Sequence, residues 1–250
     1  MNPVRNLRHS RDSKISHGAS PVRNSGHSRD SKISHGARAV ILLSGGIDSG
    51  ATLYYARQKG YKVFCLTFDY GQRHNREIDS ARRLAEACGA DWRLLKISLP
   101  WKGSALLEKG RRLPKGKLAR KDIPSTYVPG RNIIFLSYAV SYAEAIKAEA
   151  VFIGANQIDY SGYPDCRDSF LRAFGAAVKR GTKKGVSGRG IRIKAPFINK
   201  TKSQIVAAAL KMKVPIETTW SCYRGGRRPC GVCDSCLIRT RAFKEAGIYG

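Results

Sequence analysis

The sequence predicts an α/β fold: a doubly wound parallel sheet with helices on both faces and a small C-terminal metal-binding segment. Apolar, β-branched and aromatic runs at 39–43, 61–69, 92–97 and 150–154 read as buried strands. Amphipathic helical patterns lie between them, and such alternation builds βαβ units with a parallel sheet covered on both faces. Four cysteines then fall within fifteen residues near the C-terminus, at Cys222, Cys230, Cys233 and Cys236. The expected organisation is an extension over 1–38, the α/β domain over 39–215 and the cysteine segment over 216–250.

The bulk properties narrow the function. A chain of 250 residues holds one substantial domain with a small appendage. No apolar run approaches a membrane span, and no apolar leader core is present. The formal charge of +28 points to nucleic acid or to acidic small molecules. Seven cysteines, an odd number with four clustered, indicate reduced thiols and a metal rather than a disulfide framework. That fits a cytoplasmic setting.

Residues 1–38 are expected to be disordered. The stretch P-V-R-N-L-R-H-S-R-D-S-K-I-S-H-G-A-S recurs almost unchanged as the next 18 residues, and neither copy has enough apolar surface to offset the entropy of ordering it. Four of the five histidines lie here, so a metal-binding tail is the alternative. The extension carries a net +6, which leaves +22 on the body.

The first predicted strand, Ala39–Leu43, runs into Ser44-Gly45-Gly46-Ile47-Asp48-Ser49. Adjacent glycines let the backbone approach an anion without Cβ atoms in the way. Asp48 and Ser49 are suited to capping the helix that follows, with Ala51, Tyr54 and Tyr55 at helical spacing. A strand, a glycine turn and a helix N-terminus aim N–H groups and a positive dipole end at one point, where a phosphate fits. The pattern is neither a Walker loop nor G-x-G-x-x-G, and taken alone it is also compatible with an ordinary strand-to-helix turn.

The second strand ends in Asp69-Tyr70-Gly71-Gln72-Arg73-His74, at the edge of a parallel sheet where ligands bind. Ile78, Ala81, Leu84, Ala85 and Cys88 mark the next helix. Residues 102–121 contain eight Lys/Arg against Glu108 and no aromatic, which suggests a mobile basic loop rather than a base-stacking platform. Tyr127-Val128-Pro129-Gly130-Arg131-Asn132 opens a helix with Ile134, Tyr138, Tyr142 and Ala145 on one stripe. Arg131 and Asn132 are placed to meet an anion. After the fourth strand, residues 159–167 are dense in hydrogen-bonding side chains, among them Tyr163, Asp165, Cys166 and Arg167. A second basic stretch over 179–194 reads as a mobile loop before a short strand. Thr201 then opens a helix carrying Ile205, Val206, Ala209 and Leu210.

In the cysteine segment the spacing is Cys222-x7-Cys230-x2-Cys233-x2-Cys236. Four thiolates satisfy a tetrahedral, structural Zn²⁺, and an iron–sulfur cluster is the competing occupant. The surplus negative charge of such a site could be balanced by Arg224, Arg227, Arg228, Arg239 and Arg241. Cys65 and Cys88 read as core residues, and Cys166 is open.

Taken together, S-G-G-I-D-S, T-F-D-Y-G-Q-R-H, Y-V-P-G-R-N, S-G-Y-P-D-C-R-D and C-x7-C-G-V-C-D-S-C resemble the QueC/ExsB family of 7-cyano-7-deazaguanine (preQ0) synthases, from about Ala39 to Ile248. These are PP-loop N-type ATP pyrophosphatases, with an adenine nucleotide α-hydrolase-like fold. The resemblance implies an enzyme, a ligase that converts 7-carboxy-7-deazaguanine, ammonia and ATP to the nitrile through an adenylated acid and an adenylated amide. It further implies Mg²⁺, structural zinc and a homodimer, with no membrane and no required nucleic acid. It puts ATP on Leu43, Ser44, Gly45, Gly46, Ile47, Asp48, Ser49, Gly50, Ala51, Thr52 and Leu53. Ser44, Asp48, Ser49 and Arg131 are the implied catalytic residues. Tyr70, Gln72, Arg73, Asn132, Tyr163, Asp165 and Arg167 are the candidates for the deazaguanine. Gly50, where the family commonly has Thr, the basic insert and the repeat depart from that pattern. The charge keeps a second reading in view, a PP-loop enzyme that adenylates a tRNA base directly.

Overall fold

The computed structural model describes residues 33, 36–101, 103–108, 110, 112–113, 123–157 and 162–248. The repeat extension up to residue 32, most of the basic insert and residues 159–161 lie outside the described residues. Everything described belongs to one compact unit, Ile33–Gly250.

Five strands form one all-parallel sheet: β1 (Arg38–Leu42), β2 (Lys62–Asp69), β3 (Asp91–Lys96), β4 (Ala150–Phe152) and β5 (Arg192–Lys194). Their spatial order is β3-β2-β1-β4-β5. The helices are α1 (Ile47–Gln58), α2 (Arg76–Cys88), α3 (Arg131–Ala145), α4 (Asp168–Gly181), α5 (Lys183–Val186), α6 (Lys202–Lys211) and α7 (Asp234–Glu245).

Successive residues of a strand point to opposite faces, and β1 shows the consequence. Ala39 and Ile41 join a core with α1, α2, α6 and α7 on one side, including Leu53, Leu84, Ile205 and Phe243. Val40 and Leu42 join a second core on the other side, where α3 and α4 contribute Leu136, Val140, Leu171 and Val178. Both faces of β1 are therefore dry, which is why its sequence is a continuous apolar run. The C-terminal helix α7 builds the first core through Ala242 and Phe243, so the cysteine segment is part of the same unit. The first core also takes in Ala37, and Ile33 packs against it, so the packed fold begins ahead of residue 39.

Two local expectations are corrected. On α3 the buried stripe is Leu136, Ala139, Val140 and Ala143, while Tyr138 is 45% exposed. That helix is apolar nearly all round, and small residues win the close approach to the sheet. The basic stretch over 179–194 is helical over 179–181 and 183–186 before it reaches β5. Lys179 and Arg180 end α4, where cations meet the negative end of the helix dipole, and the Thr182 hydroxyl caps α5 by accepting from Gly185 N at 3.0 Å.

Candidate active site

The strand order reverses between β1 and β4, and in open α/β sheets such a point opens a crevice at the carboxyl edge. β1 delivers the S-G-G loop to it. Gly45 has φ +81°, and a Cβ there would run into the Glu77 carbonyl oxygen and come within 2.9 Å of Ala81 N. Only glycine lets α2 lie directly on the loop. Gly154 does the same from β4, since its Cβ would sit 2.9 Å from Ser49 N. The Gly45 carbonyl accepts from Trp220 N at 2.9 Å, which ties the loop to the C-terminal segment.

Helix α1 begins at Ile47 with Gly46 as its N-cap, so Asp48 and Ser49 lie in the first turn rather than capping it. The Ser49 hydroxyl instead donates to Gly46 O at 3.1 Å and accepts from Ser44 N at 3.2 Å. No side chain caps the helix. The first-turn N–H groups, which have no partners within a helix, are thus left for an anion.

A cavity of about 320 Å³ opens over this loop. Of the residues expected to bind ATP, Leu43, Ser44, Gly46, Ile47, Asp48 and Ser49 line it. Gly45 and Gly50 lie beneath, and Ala51, Thr52 and Leu53 are fully buried. Tyr70, Gln72, Arg131, Asn132 and Tyr163 also line the cavity, as does Cys166. Cys65 is buried in the core, and Cys88 packs against its edge. Three candidates for the deazaguanine stand outside the lining. Arg73 reaches Ala105 O at 3.3 Å and its backbone N donates to Leu106 O, which steadies the turn that brings Leu106 to the cavity. Asp165 is buried and its Oδ2 accepts from Asn132 N at 3.0 Å, closing the N-terminus of α3. Arg167 is exposed at the start of α4.

The cavity is strongly polarised. Arg131 Nη1 donates to the Tyr70 hydroxyl at 3.1 Å, and the guanidinium lies 5.7 Å from the ring centroid. Burial pushes Tyr70 up to about 12, with Arg131 acting the other way. Burial also works against the charge of Arg131, but Tyr70, Tyr163 and Glu77 more than offset it, so Arg131 is a fixed cation. Burial raises Glu77 to about 7, opposed by Arg131 and by a hydrogen bond from Gln72. Opposite them Lys202 Nζ is paired with Asp48 Oδ2, while Asp48 Oδ1 is buried with no hydrogen-bond partner.

Sequence reasoning missed Glu77, Lys202, Trp220 and Tyr223, which line the cavity, and named Arg239, which lines it too, only for the charge of the cysteine site. Lys202 had a usable signal, because it opens a helix just after a parallel strand, at the edge where the other loops gather. Glu77 had a weaker one, three residues beyond the Arg-His of its motif. Arg239 donates to Thr219 Oγ1 at 2.8 Å and to Ile216 O at 3.1 Å, and lies over Phe243.

The four clustered cysteines meet in space, with their sulfurs all within 4.8 Å of one another. Cys230 and Cys236 sulfurs are 4.0 Å apart, against about 3.8 Å expected across a tetrahedral thiolate site with 2.3 Å metal–sulfur bonds. Backbone N–H groups of Cys230 and Arg224 point at Cys222 Sγ from 3.3 and 3.4 Å. The residues fit a closed four-thiolate metal site. His74 packs against Gly225 of this knuckle, and burial lowers its pKa while a hydrogen bond with the Cys222 backbone opposes that. The second motif is thereby pinned to the fifth.

Comparison with known proteins agrees with this geometry. The family described as "Queuosine biosynthesis protein QueC" matches residues 38–247. A 7-cyano-7-deazaguanine synthase from Acetivibrio thermocellus is 50% identical over 212 residues, covering 84% of this chain and 95% of that protein. The protein of the same description from Thermoplasma acidophilum is 48% identical over 84% of this chain and 89% of its own. Among solved structures, NMN synthetase from Francisella tularensis superposes with a TM-score of 0.47 at 15% identity, over 86% of this chain and 79% of that one. The motifs that converge on the cavity thus lie within one family match that spans the compact unit, and the chain belongs to the queuosine biosynthesis protein QueC family.

Proposed function

We propose that the chain is an ATP-dependent ligase that converts 7-carboxy-7-deazaguanine and ammonia to 7-cyano-7-deazaguanine (preQ0), in queuosine and 7-deazapurine biosynthesis. The observation that carries this reading is the convergence of the S-G-G loop, half-buried Arg131 and the cysteine-bearing C-terminal wall on one cavity.

A carboxylate that becomes a nitrile must lose both oxygens, and neither is a leaving group at neutral pH. Adenylation cures this. The carboxylate attacks the α-phosphorus of ATP and pyrophosphate leaves; ammonia displaces AMP to give the amide; the amide oxygen is adenylated in turn. The protein's part is positioning and fixed charge rather than a covalent intermediate. Ser44, Gly46, Ile47, Asp48 and Ser49 hold the pyrophosphate against the open first turn of α1, with Lys202 fixing the Asp48 carboxylate. Mg²⁺ neutralises phosphate charge when bound, and the unpartnered Asp48 Oδ1 suits it. Arg131 stabilises the adenylate, and Tyr70, Gln72, Asn132 and Tyr163 orient the base. Arg73, Asp165 and Arg167 act from behind the lining. Zinc on Cys222, Cys230, Cys233 and Cys236 is structural, because four protein ligands leave no position for water. A homodimer suits the exposed apolar side chains Ile133 and Tyr138 on α3, and reduced thiols suit the cytoplasm.

Mass spectrometry of a reaction with 7-carboxy-7-deazaguanine, ATP, Mg²⁺ and ammonium tests the reading. Nitrile with AMP and pyrophosphate is expected. AMP formed only when tRNA is added would replace it with direct adenylation of a tRNA base, the reading that the net charge of +28 favours.

A further inference from the structure

The proposed reaction sets a proton problem. Ammonia reaches the acyl adenylate with three N–H bonds, and the nitrile nitrogen has none. In the first half, ammonia attacks the acyl carbon, the C–O bond to AMP breaks with its electron pair on AMP, and one proton leaves nitrogen to give the amide. In the second half, the amide oxygen displaces pyrophosphate from another ATP, leaving a cationic O-adenylated imidate with two N–H protons. Loss of one gives the neutral imidate. Loss of the second turns that N–H electron pair into the third C–N bond as the C–O bond breaks and AMP departs with the oxygen. Some group must take those protons.

The cavity offers few bases. Among the described residues no histidine lines it, and the carboxyls that do are Asp48 and Glu77. Asp48 is held by Lys202 at the phosphate end. Tyr70 is locked to Arg131 and pushed up to about 12, far from a neutral-pH base. The Cys166 sulfur accepts from Asn132 Nδ2 at 3.1 Å and supports that side chain. Glu77 remains. It sits in the first turn of α2, whose backbone lies against Gly45, so its carboxyl is built into the same rigid corner as the loop. The charged and polar groups facing it are Arg131 from α3, Gln72 from the turn after β2 and Tyr70 at the end of that strand.

We propose that Glu77 is the general base of this enzyme, taking the protons of the ammonia-derived nitrogen on the way from acyl adenylate to amide and from adenylated amide to nitrile. This rests on the nitrile-forming reading above. Glu77 accepts one proton per step and passes it to water when AMP or pyrophosphate leaves. The raised pKa of about 7 suits the role, since a base near the working pH balances availability against strength. Two carboxyls in one cavity are thereby set to two tasks by their surroundings: one ion-paired on the phosphates, one desolvated for proton transfer.

The test compares wild type, Glu77→Gln and Glu77→Asp in two assays. Adenylation of the carboxylate moves no proton, so ATP–pyrophosphate exchange driven by 7-carboxy-7-deazaguanine should stay within a few-fold of wild type in Glu77→Gln. Amide and nitrile formation should fall by ~10²–10⁴-fold, the usual worth of a general base. Glu77→Asp should recover part of the rate, and the rise of kcat through pH 7 should be present in wild type and absent in Glu77→Gln. Nitrile formation by Glu77→Gln at the wild-type rate overturns the proposal. So does loss of exchange in both variants, which would make Glu77 structural. A wild type that exchanges pyrophosphate and makes no nitrile refutes the functional reading instead.

Discussion

Two glycines with the same backbone and different surroundings separate conformation from packing. Gly45 and Gly71 both have φ +81°, a left-handed conformation that an L side chain adopts at a cost of about 1–2 kcal/mol. Nothing lies within 4 Å of a Cβ added at Gly71. At Gly45 the same atom overlaps the Glu77 carbonyl oxygen and crowds Ala81 N at 2.9 Å and Ser80 Cβ at 3.0 Å. The first two are backbone atoms of α2, so relief requires the helix to move off the loop. Overpacking of that kind adds roughly 1–3 kcal/mol. Gly71→Ala should therefore lose about 1–2 kcal/mol in urea denaturation and Gly45→Ala roughly 2–5 kcal/mol, a large part of an ordinary domain stability. Gly45→Ala should also weaken ATP–pyrophosphate exchange, because relief of the clash shifts the loop that holds the pyrophosphate. Equal losses in the two variants would refute the close approach of α2 to the loop.

Gly50 is the opposite case: it lies inside α1 and its added Cβ would meet Leu84 and Val214 at 3.5 Å, ordinary contact distance. Gly50→Ala should raise stability by about 0.5–1 kcal/mol in the same denaturation assay. Removing metal with a thiol-competing chelator, or Cys236→Ser, should lower the melting temperature and weaken ATP binding together, because Trp220 and Tyr223 of the cavity wall pack on that knuckle. Metal content and a thermal melt measured on one sample check it. Glu77 also sets a pH dependence. Its folded pKa of about 7 lies above the ordinary 4.5, so between those values the native state holds a proton that the unfolded chain has lost. Stability should thus fall as pH rises through that window, by up to about 3 kcal/mol, and Glu77→Gln should flatten the slope.

The central strands β1, β2 and β4 were legible because both their faces are dry and each is a nearly unbroken apolar run, whereas the outer strands β3 and β5 are partly exposed and carry charged residues. The loop was legible for a related reason: two adjacent glycines after such a run have few structural uses. What periodicity could not show was which face of α3 turns inward, since Ile134, Tyr138 and Tyr142 compete with Leu136, Val140 and two alanines on a helix apolar all round. Composition misled at 179–194, where charge and glycine resemble a loop, yet α4 needs only Leu171 and Val178 to anchor it. Lys202, Glu77 and Trp220 were hidden because each takes its meaning from a partner 32 to 175 residues away, namely Asp48 for the first and the Gly45 backbone for the other two.

Those long-range ties explain why a metal knuckle belongs to this fold at all. The S-G-G loop has little core of its own above the sheet. It is held from below by Gly154 against Ser49, from one side by α2 against Gly45, and from the other by Trp220 N on the Gly45 carbonyl. Trp220 is in turn fixed through its indole Nε1, which donates to Cys222 O at 2.9 Å, and His74 wedges the second motif against Gly225. A segment this short, with Cys222, Cys233 and Cys236 as its buried centre, cannot stiffen itself by apolar packing alone. Four thiolates gathered on one ion would supply the rigidity that a larger core would. A metal held by four protein thiolates would have no open position for a reacting group, yet would set how firmly the phosphate loop keeps its shape.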